Sequence, residues 1–188
     1  MKHRLFIAVD LPETTKQEIV VLQHKLESLK LPIDWEPKEK LHLTLNFLGR
    51  LEDEEFSPVQ SALSKAAQSF RNFELQPAFL ETLYQRHDQS LIYLGIGGGV
   101  DELNQVYKQF ASILNSLKNP QAQRYLPHIT IGRMQKVDPT SVKAYLDKIE
   151  GCEFSPLSSF VVDHFTYYES FVSRLGSTYQ RAGRIVLE

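Results

Sequence analysis

Two stretches of the sequence, far apart along the chain, share one pattern of side chains. Residues 41–45 read Leu-His-Leu-Thr-Leu, and residues 127–131 read Pro-His-Ile-Thr-Ile. Because successive side chains of a β-strand point to opposite faces, the apolar residues of each stretch share one face and its histidine and threonine share the other. The pattern therefore predicts two half-buried strands, each of which turns an imidazole and a hydroxyl away from a core.

Predicted strands and helices alternate along the rest of the chain. Strands are predicted near residues 4–9, 41–48, 73–83, 90–96, 125–133, 159–171 and 178–187, and helices near 15–29, 53–70, 100–117 and after 138. The first helix is predicted to begin at a capping box formed by Thr15 and Glu18. Trp35 is predicted to lie in a loop, and Gly49 to end the second strand. The class is therefore α+β or α/β.

The charge of the chain argues against one kind of nucleic-acid partner. The formal net charge is −2, and the lysines and arginines are scattered along the sequence. Proteins that grip a long duplex normally present a basic face. We therefore expect contact with a few phosphates, such as those of an RNA end or a small nucleotide, and not with an extended duplex.

Cysteine content and hydropathy limit the remaining classes. Cys152 is the only cysteine, which excludes an intrachain disulfide and argues against a thiolate metal site. The early apolar run from Leu5 to Val9 is too short for a signal-peptide core or a membrane span. We therefore expect a cytoplasmic protein with no membrane partner.

The repeated pattern also predicts a chemistry. If the two strands face one cleft, His42 and His128 supply two groups that titrate near neutral pH, and Thr44 and Thr130 supply two hydroxyl donors. One imidazole can take a proton from a nucleophile while the other gives a proton to a leaving oxygen. A single histidine on such a strand is usually structural, whereas two matched copies favour phosphoryl transfer without a metal.

Longer segments around both stretches resemble a known family. The matching segments are residues 4–12, 42–49 and 126–133, with a weaker match at Tyr168, Ser170, Gly176 and Tyr179. The sequence resembles the 2H phosphoesterases, named for two His-x-Thr/Ser motifs, and among them the RNA 2′,3′-cyclic phosphodiesterases, also called 2′-5′ RNA ligases. The double motif is specific in combination, and the matches extend over nearly the whole chain.

The resemblance implies a fold and a division of roles. The fold would be α+β, with residues 1–188 as one domain of two similar lobes, each an antiparallel sheet with helices on its outer face and the site in the cleft between them. His42 would protonate the leaving oxygen, His128 would activate water, and Thr44 and Thr130 would hold the phosphate. The product of a 2′,3′-cyclic phosphate would be the 2′-phosphomonoester. Apart from the resemblance, we expect a monomer that works without a cofactor or metal.

Arg133 takes the position of an arginine that is typical of the resembled group, five residues after the second motif histidine. We therefore expect it to bind substrate. Strict alternation places Arg133 on the side of Ile129, away from the cleft, and a bend at Gly132 would re-aim it.

Other functions remain open on the sequence. The same site run in reverse would join RNA ends through a 2′-5′ linkage, and a non-catalytic binder of nucleotides or RNA ends is a second class. A metal hydrolase is a third class, although two imidazoles without a neighbouring carboxylate or cysteine are fewer ligands than zinc sites in proteins normally have. Phe6, Trp35, Tyr84 and Tyr93 are candidates to stack a base, although aromatic residues in such runs are more often part of a core.

Overall fold

The structure is a computed structural model that describes residues 2–85, 89–117, 119, 121, 124–173 and 176–188. Within them the chain forms nine strands, four α-helices and one short 3₁₀ helix at Lys38–Lys40. The strands are β1 (Lys2–Asp10), β2 (Ile33–Trp35), β3 (His42–Glu52), β4 (Phe73–Leu83), β5 (Leu91–Gly98), β6 (His128–Met134), β7 (Phe160–Val162), β8 (His164–Ser173) and β9 (Gly176–Val186). The helices are α1 (Glu13–Glu27), α2 (Asp53–Ala67), α3 (Val100–Ser116) and α4 (Pro139–Glu150).

The strands form two antiparallel groups that meet in the middle of the sheet. The strand order in the sheet is β7-β4-β5-β6-β3-β1-β8-β9. Strand β2 is outside this linear order and pairs with β6. We call β3, β1, β8 and β9 the first lobe, and β6, β5, β4, β7 and β2 the second lobe. Each lobe takes strands from both halves of the chain, and β3 and β6, which begin at the motif histidines, are the strands where the lobes meet.

The helices cover one face of each lobe. In the first lobe, Phe56 of α2 packs edge-on against Tyr167 and Phe110 of α3 against Phe165, with ring centroids 5.3 and 5.9 Å apart. In the second lobe, the Gln23 side chain of α1 donates a hydrogen bond to the Ile131 carbonyl of β6, and α4 packs beside β4. This arrangement confirms the predicted α+β fold of two lobes, each with an antiparallel sheet and outer helices.

The predicted alternation of the motif strands is confirmed by their burial. Leu43, Leu45, Ile129 and Ile131 are buried in the apolar core beneath the helices. The motif histidines and threonines are half-buried, on the face that the helices leave open. The core therefore anchors both strands from one side and leaves their polar side chains available on the other.

The predicted capping box at Thr15 and Glu18 is wrong. Helix α1 begins at Glu13, directly after Pro12, and no side chain caps it. Thr15 is buried within the first turn, so its side chain faces the core instead of the exposed N–H groups. The acidic side chain of Glu13 in the first turn is favourable near the positive end of the helix dipole.

Two other local predictions are also wrong. Trp35 lies in strand β2, because residues 33–35 pair with residues 132–134 of β6. Gly49 does not end β3, which continues to Glu52 while Gly49 adopts a φ of +70°. A glycine tolerates this conformation without strain, and the pairing with β1 includes Gly49, opposite Leu5, and continues beyond it.

In the part of the chain that the structure describes, none of the helices is both long enough and apolar enough to cross a lipid bilayer.

Candidate active site

The two motif strands are joined at one residue pair. Leu43 of β3 lies opposite Ile129 of β6 in an antiparallel pairing. Continuing this register by one residue on either side brings His42 towards Thr130 and Thr44 towards His128. The two histidines therefore occupy one diagonal of a four-residue group, and the two threonines occupy the other.

This polar group lies in a cleft on the face opposite the helices. All five residues predicted to form the site line one cavity of about 410 Å³, namely His42, Thr44, His128, Thr130 and Arg133. The volume falls in the range of small-molecule sites. The sequence pattern therefore predicted residues that the fold brings together from positions far apart in the chain.

Both imidazoles are oriented in the same way by the backbone two residues earlier. The Nδ1–H of His42 donates to the Lys40 carbonyl at 2.6 Å, and the Nδ1–H of His128 donates to the Leu126 carbonyl at 2.8 Å. These bonds leave Nε2 of each ring to accept or give a proton. Nε2 of His42 lies 3.0 Å from Oγ1 of Thr44.

The surroundings of His42 favour its neutral form in the unliganded protein. The ring lies 5.2 Å from that of Phe6 and 5.3 Å from that of Tyr179, between centroids. Burial lowers the pKa of His42, the bond to the Lys40 carbonyl partly opposes this, and the nearby charge of His128 lowers the pKa further. The net result is a pKa below the ordinary 6.5 of histidine.

The ring of His128 packs against a tyrosine side chain. Tyr93 packs edge-on against its ring at 5.5 Å between centroids, and the Tyr93 hydroxyl donates to Oε2 of Glu81 at 2.7 Å. Burial and then the Glu81 carboxylate raise the pKa of Tyr93 to about 12. Tyr93 therefore stays protonated at physiological pH and acts as a fixed neutral wall beside His128.

A partly buried carboxylate, that of Asp10, lies beside His42 on the neighbouring strand. Asp10 accepts hydrogen bonds from Thr166 at 3.0 Å, from the Tyr168 hydroxyl at 2.5 Å and from Nη2 of Arg181 at 3.1 Å. Burial raises the pKa of Asp10, but these bonds and the Arg181 charge outweigh it, so that the net pKa is lowered. Asp10 is therefore ionised at neutral pH, and its charge partly opposes the lowering of the His42 pKa.

Arg133 lines the cleft because β6 contains a bulge. Thr130 pairs with Tyr93 and Gly132 pairs with Ile92, so Ile131 is an extra residue on β6. Such a bulge reverses the alternation beyond it, so that Arg133 falls on the same side as Thr130. A Cβ atom on Gly132 would lie 2.9 Å from side-chain atoms of both Ile33 and Trp35, so the close packing of β2 requires glycine there. The irregularity in β6 is therefore centred at Ile131, one residue before the bend that was expected at Gly132.

Several residues of the cleft wall were not predicted from the sequence. Arg4, Glu36, Lys40, Phe47 and Tyr179 also line the cavity. Arg4 and Tyr179 lie within the segments that resemble the family, but nothing in their local pattern distinguishes them from structural residues. Their position follows from the pairing of β1 with β3 and β8 with β9, which the sequence does not specify.

The predicted stacking residues have different outcomes. Phe6 and Tyr93 are almost fully buried beside the histidines, as expected of core residues. Trp35 packs over Gly132, and Tyr84 is exposed but does not line this cleft. None of these four rings is an exposed side chain that lines the cleft. Phe47, which was not among the predicted stacking residues, lines the cleft and is 65% exposed.

Among the described residues, no group of three or more His, Cys, Asp or Glu side chains is arranged to hold a metal ion. Metal independence of the reaction itself stays a prediction.

Comparison with known proteins assigns this arrangement to a family. The chain is similar to two proteins named RNA 2′,3′-cyclic phosphodiesterase. The protein from Methanocaldococcus jannaschii is 28% identical over 94% of this chain and 96% of its own length. The protein from Thermotoga maritima is 28% identical over 94% of this chain and 91% of its own length. Among solved structures, E. coli LigT complexed with 3′-AMP aligns with a TM-score of 0.78 and 23% identity over 100% of this chain and 99% of that one. The model of the LigT-like phosphoesterase family matches residues 9–90 and 97–179, which include both histidine motifs. The protein is therefore a member of the LigT-like phosphoesterases.

Proposed function

We propose that the protein hydrolyses 2′,3′-cyclic phosphates at RNA ends or on nucleosides to 2′-phosphomonoesters, without a metal or a cofactor. Two observations support this proposal. The similar proteins from M. jannaschii and T. maritima are named RNA 2′,3′-cyclic phosphodiesterases, and LigT has been solved with 3′-AMP. In this chain, two imidazoles whose Nδ1 atoms are held by backbone carbonyls turn Nε2 towards one cleft, whose volume falls in the range of small-molecule sites.

The proposed reaction is an in-line displacement at phosphorus. His128 takes a proton from water at Nε2 as the water oxygen attacks phosphorus. The bond between phosphorus and the ribose 3′ oxygen breaks, and Nε2 of protonated His42 gives its proton to that oxygen. The phosphate stays on the 2′ oxygen, and one proton has passed to His128 and another from His42, so that a proton exchange with solvent resets the site.

The phosphate would be held by three further side chains. Thr44 and Thr130 are placed on the second diagonal of the site, where their hydroxyls can donate to non-bridging phosphate oxygens. Arg133 adds a positive charge on the same cavity wall. The bound anion would also raise the pKa of His42 from its low value in the free protein, because an opposite charge favours the protonated imidazole.

The observation that carries the proposal is the matched orientation of the two rings, because a structural histidine needs no such duplication. The direct test is turnover of a nucleoside 2′,3′-cyclic phosphate by the purified protein in the presence of a strong chelator. We expect multiple turnovers that are insensitive to the chelator. A protein that binds the substrate without turnover would be a nucleotide binder, and loss of activity in chelator would indicate a metal hydrolase; either result rejects the proposal.

A further inference from the structure

An exposed aromatic ring lies at the rim of the cleft, one ring beyond the catalytic group. Phe47 is 65% exposed although it lies on β3, three residues after Thr44. Phe6 lies between it and the site, with its ring centroid 5.2 Å from that of His42 and 6.2 Å from that of Phe47. An exposed aromatic ring that lines a cleft can serve as a stacking platform, because every nucleobase has a π-face.

A cationic side chain lies on the same rim. Arg4 of β1 lines the cavity together with Phe47 and Gly49, and the strand pairing places residues 4–6 of β1 against residues 47–50 of β3. In the part of the chain that the structure describes, no carboxylate lies within ion-pair distance of Arg4. The guanidinium is therefore available to an anion that enters the cleft.

The two candidate substrates differ in whether they carry a phosphate that Arg4 could bind. A nucleoside 2′,3′-cyclic phosphate carries a single phosphate, which in the proposed reaction lies between His42 and His128. Arg4 would then have no phosphate to bind. An RNA end carries a second phosphate, the phosphodiester that links the terminal nucleotide to the one before it, and a further base beyond that linkage.

We propose that Arg4 and Phe47 form a subsite for the nucleotide that precedes the terminal one, so that the preferred substrate is an RNA end and not a free nucleoside cyclic phosphate. Arg4 holds the connecting phosphodiester, and Phe47 stacks the base of the preceding nucleotide. This proposal rests on the proposed function of the histidine site. It differs from duplex binding because stacking on Phe47 requires an unpaired base.

The test compares two substrates that differ by one nucleotide. The value of kcat/KM is measured for uridine 2′,3′-cyclic phosphate and for the dinucleotide UpU with a terminal 2′,3′-cyclic phosphate. The variants are Phe47→Ala and Arg4→Gln. The matched control for Arg4 is Arg50→Gln, because Arg50 is exposed and pairs with Arg4 across the strands but does not line the cleft. The matched control for Phe47 is Phe171→Ala, because Phe171 is also exposed but lies outside the cavity lining.

We expect the wild-type protein and both controls to favour the dinucleotide. Phe47→Ala should lower kcat/KM for the dinucleotide by roughly 5- to 150-fold, the range found for loss of one stacked base, and should leave the mononucleoside value nearly unchanged. Arg4→Gln should act in the same selective way and should also weaken the dependence of dinucleotide turnover on salt.

Equal losses on both substrates would place Phe47 or Arg4 at the terminal nucleotide and overturn the proposal, and so would wild-type protein with no preference for the dinucleotide. Binding of the non-cyclic products, uridine 2′-monophosphate and UpU 2′-phosphate, is measured by calorimetry so that the subsite is tested separately from catalysis. If turnover fails but Phe47→Ala and Arg4→Gln selectively weaken dinucleotide binding, the subsite stands and the hydrolytic function is rejected. If neither variant weakens dinucleotide binding, the subsite is rejected.

Discussion

Asp10 is the cross-strand neighbour of His42 in the pairing of β1 with β3. The side chain of Asp10 is only 13% exposed, and its carboxylate is held by the hydroxyls of Thr166 and Tyr168 and by Arg181. The His42 imidazole thus lies beside a fixed negative charge on one strand and near a second imidazole on the other. The two influences on its pKa oppose each other.

Replacement of Asp10 by Asn should destabilise the protein at neutral pH. An amide cannot accept from three donors as a carboxylate does, and leaving the buried Thr166 hydroxyl or the partly buried Tyr168 hydroxyl unsatisfied costs about 1–3 kcal/mol. Because the folded pKa of Asp10 is lowered, its contribution is fully present above the unfolded pKa of about 3.9 and is lost as pH falls through the folded pKa. Urea unfolding at pH 7 and pH 3 should therefore show a gap between wild type and Asp10→Asn that narrows at the lower pH.

The matched control is Asp34→Asn, which changes an exposed carboxylate that accepts a hydrogen bond from Gln135. Its effect on the free energy of unfolding should stay within about 0.5 kcal/mol at both pH values. An Asp10→Asn penalty that is absent at pH 7, or that grows on acidification, would be inconsistent with the buried network.

Removal of either cleft histidine should affect chemistry far more than folding. General acid or base catalysis typically contributes about 10²–10⁴-fold, so His42→Ala and His128→Ala should each lower kcat by that order. The double variant should lose less than the product of the single losses, because two groups that act as a unit are not additive. His24→Ala, which removes an exposed histidine on α1, is the control and should keep wild-type kcat. Near-normal turnover in a folded single variant would remove that histidine from the mechanism.

The pH profile should reflect the low pKa of His42 in the free protein. One imidazole must be protonated and the other neutral, so both kcat/KM and kcat should be bell-shaped. Burial lowers the pKa of free His42, which moves the kcat/KM optimum to the acid side of the neutral optimum expected from unperturbed histidines. A bound phosphate raises that pKa again, so the kcat profile should lie at higher pH than the kcat/KM profile. Profiles displaced in the opposite order, or a rate that only rises with pH and responds to divalent metal, would contradict this assignment.

Gly132→Ala tests the packing that positions Arg133. The added methyl group would lie 2.9 Å from side-chain atoms of both Ile33 and Trp35, so β2 or the bulge must move. Overpacking of this kind costs about 1–3 kcal/mol in the free energy of unfolding. Displacement of Arg133 should also raise KM with a smaller effect on kcat. A variant with wild-type stability and KM would show that the close approach of β2 does not fix the position of Arg133.

Local side-chain patterns predicted much of the fold and the centre of the site. His42, Thr44, His128 and Thr130 were predictable because period-two alternation repeats in two places, and each apolar face has a core to pack on. Most helices were also predictable from their apolar periodicity, and Asp138 caps α4 as its position before a proline suggests.

The rest depends on contacts between distant segments. At the bulge, the Ile131 carbonyl accepts hydrogen bonds from the Gln23 side chain and from the Glu36 N–H, and neither partner is near it in the sequence. The placement of Asp10 beside His42, and of Arg4 and Phe47 on one rim, follows from strand order and register. No local pattern encodes a strand order in which each lobe draws on both halves of the chain.

The most direct measurement of the central claim is phosphorus NMR of a nucleoside 2′,3′-cyclic phosphate incubated with the protein in chelator. If His42 protonates the ribose 3′ oxygen while His128 activates water, the cyclic phosphate signal is replaced by that of the 2′-monophosphate, and neither His42→Ala nor His128→Ala produces it at a comparable rate. A 3′-monophosphate as the main product would reverse the assigned roles of the two histidines, and an unchanged cyclic phosphate signal would contradict metal-independent hydrolysis by this pair.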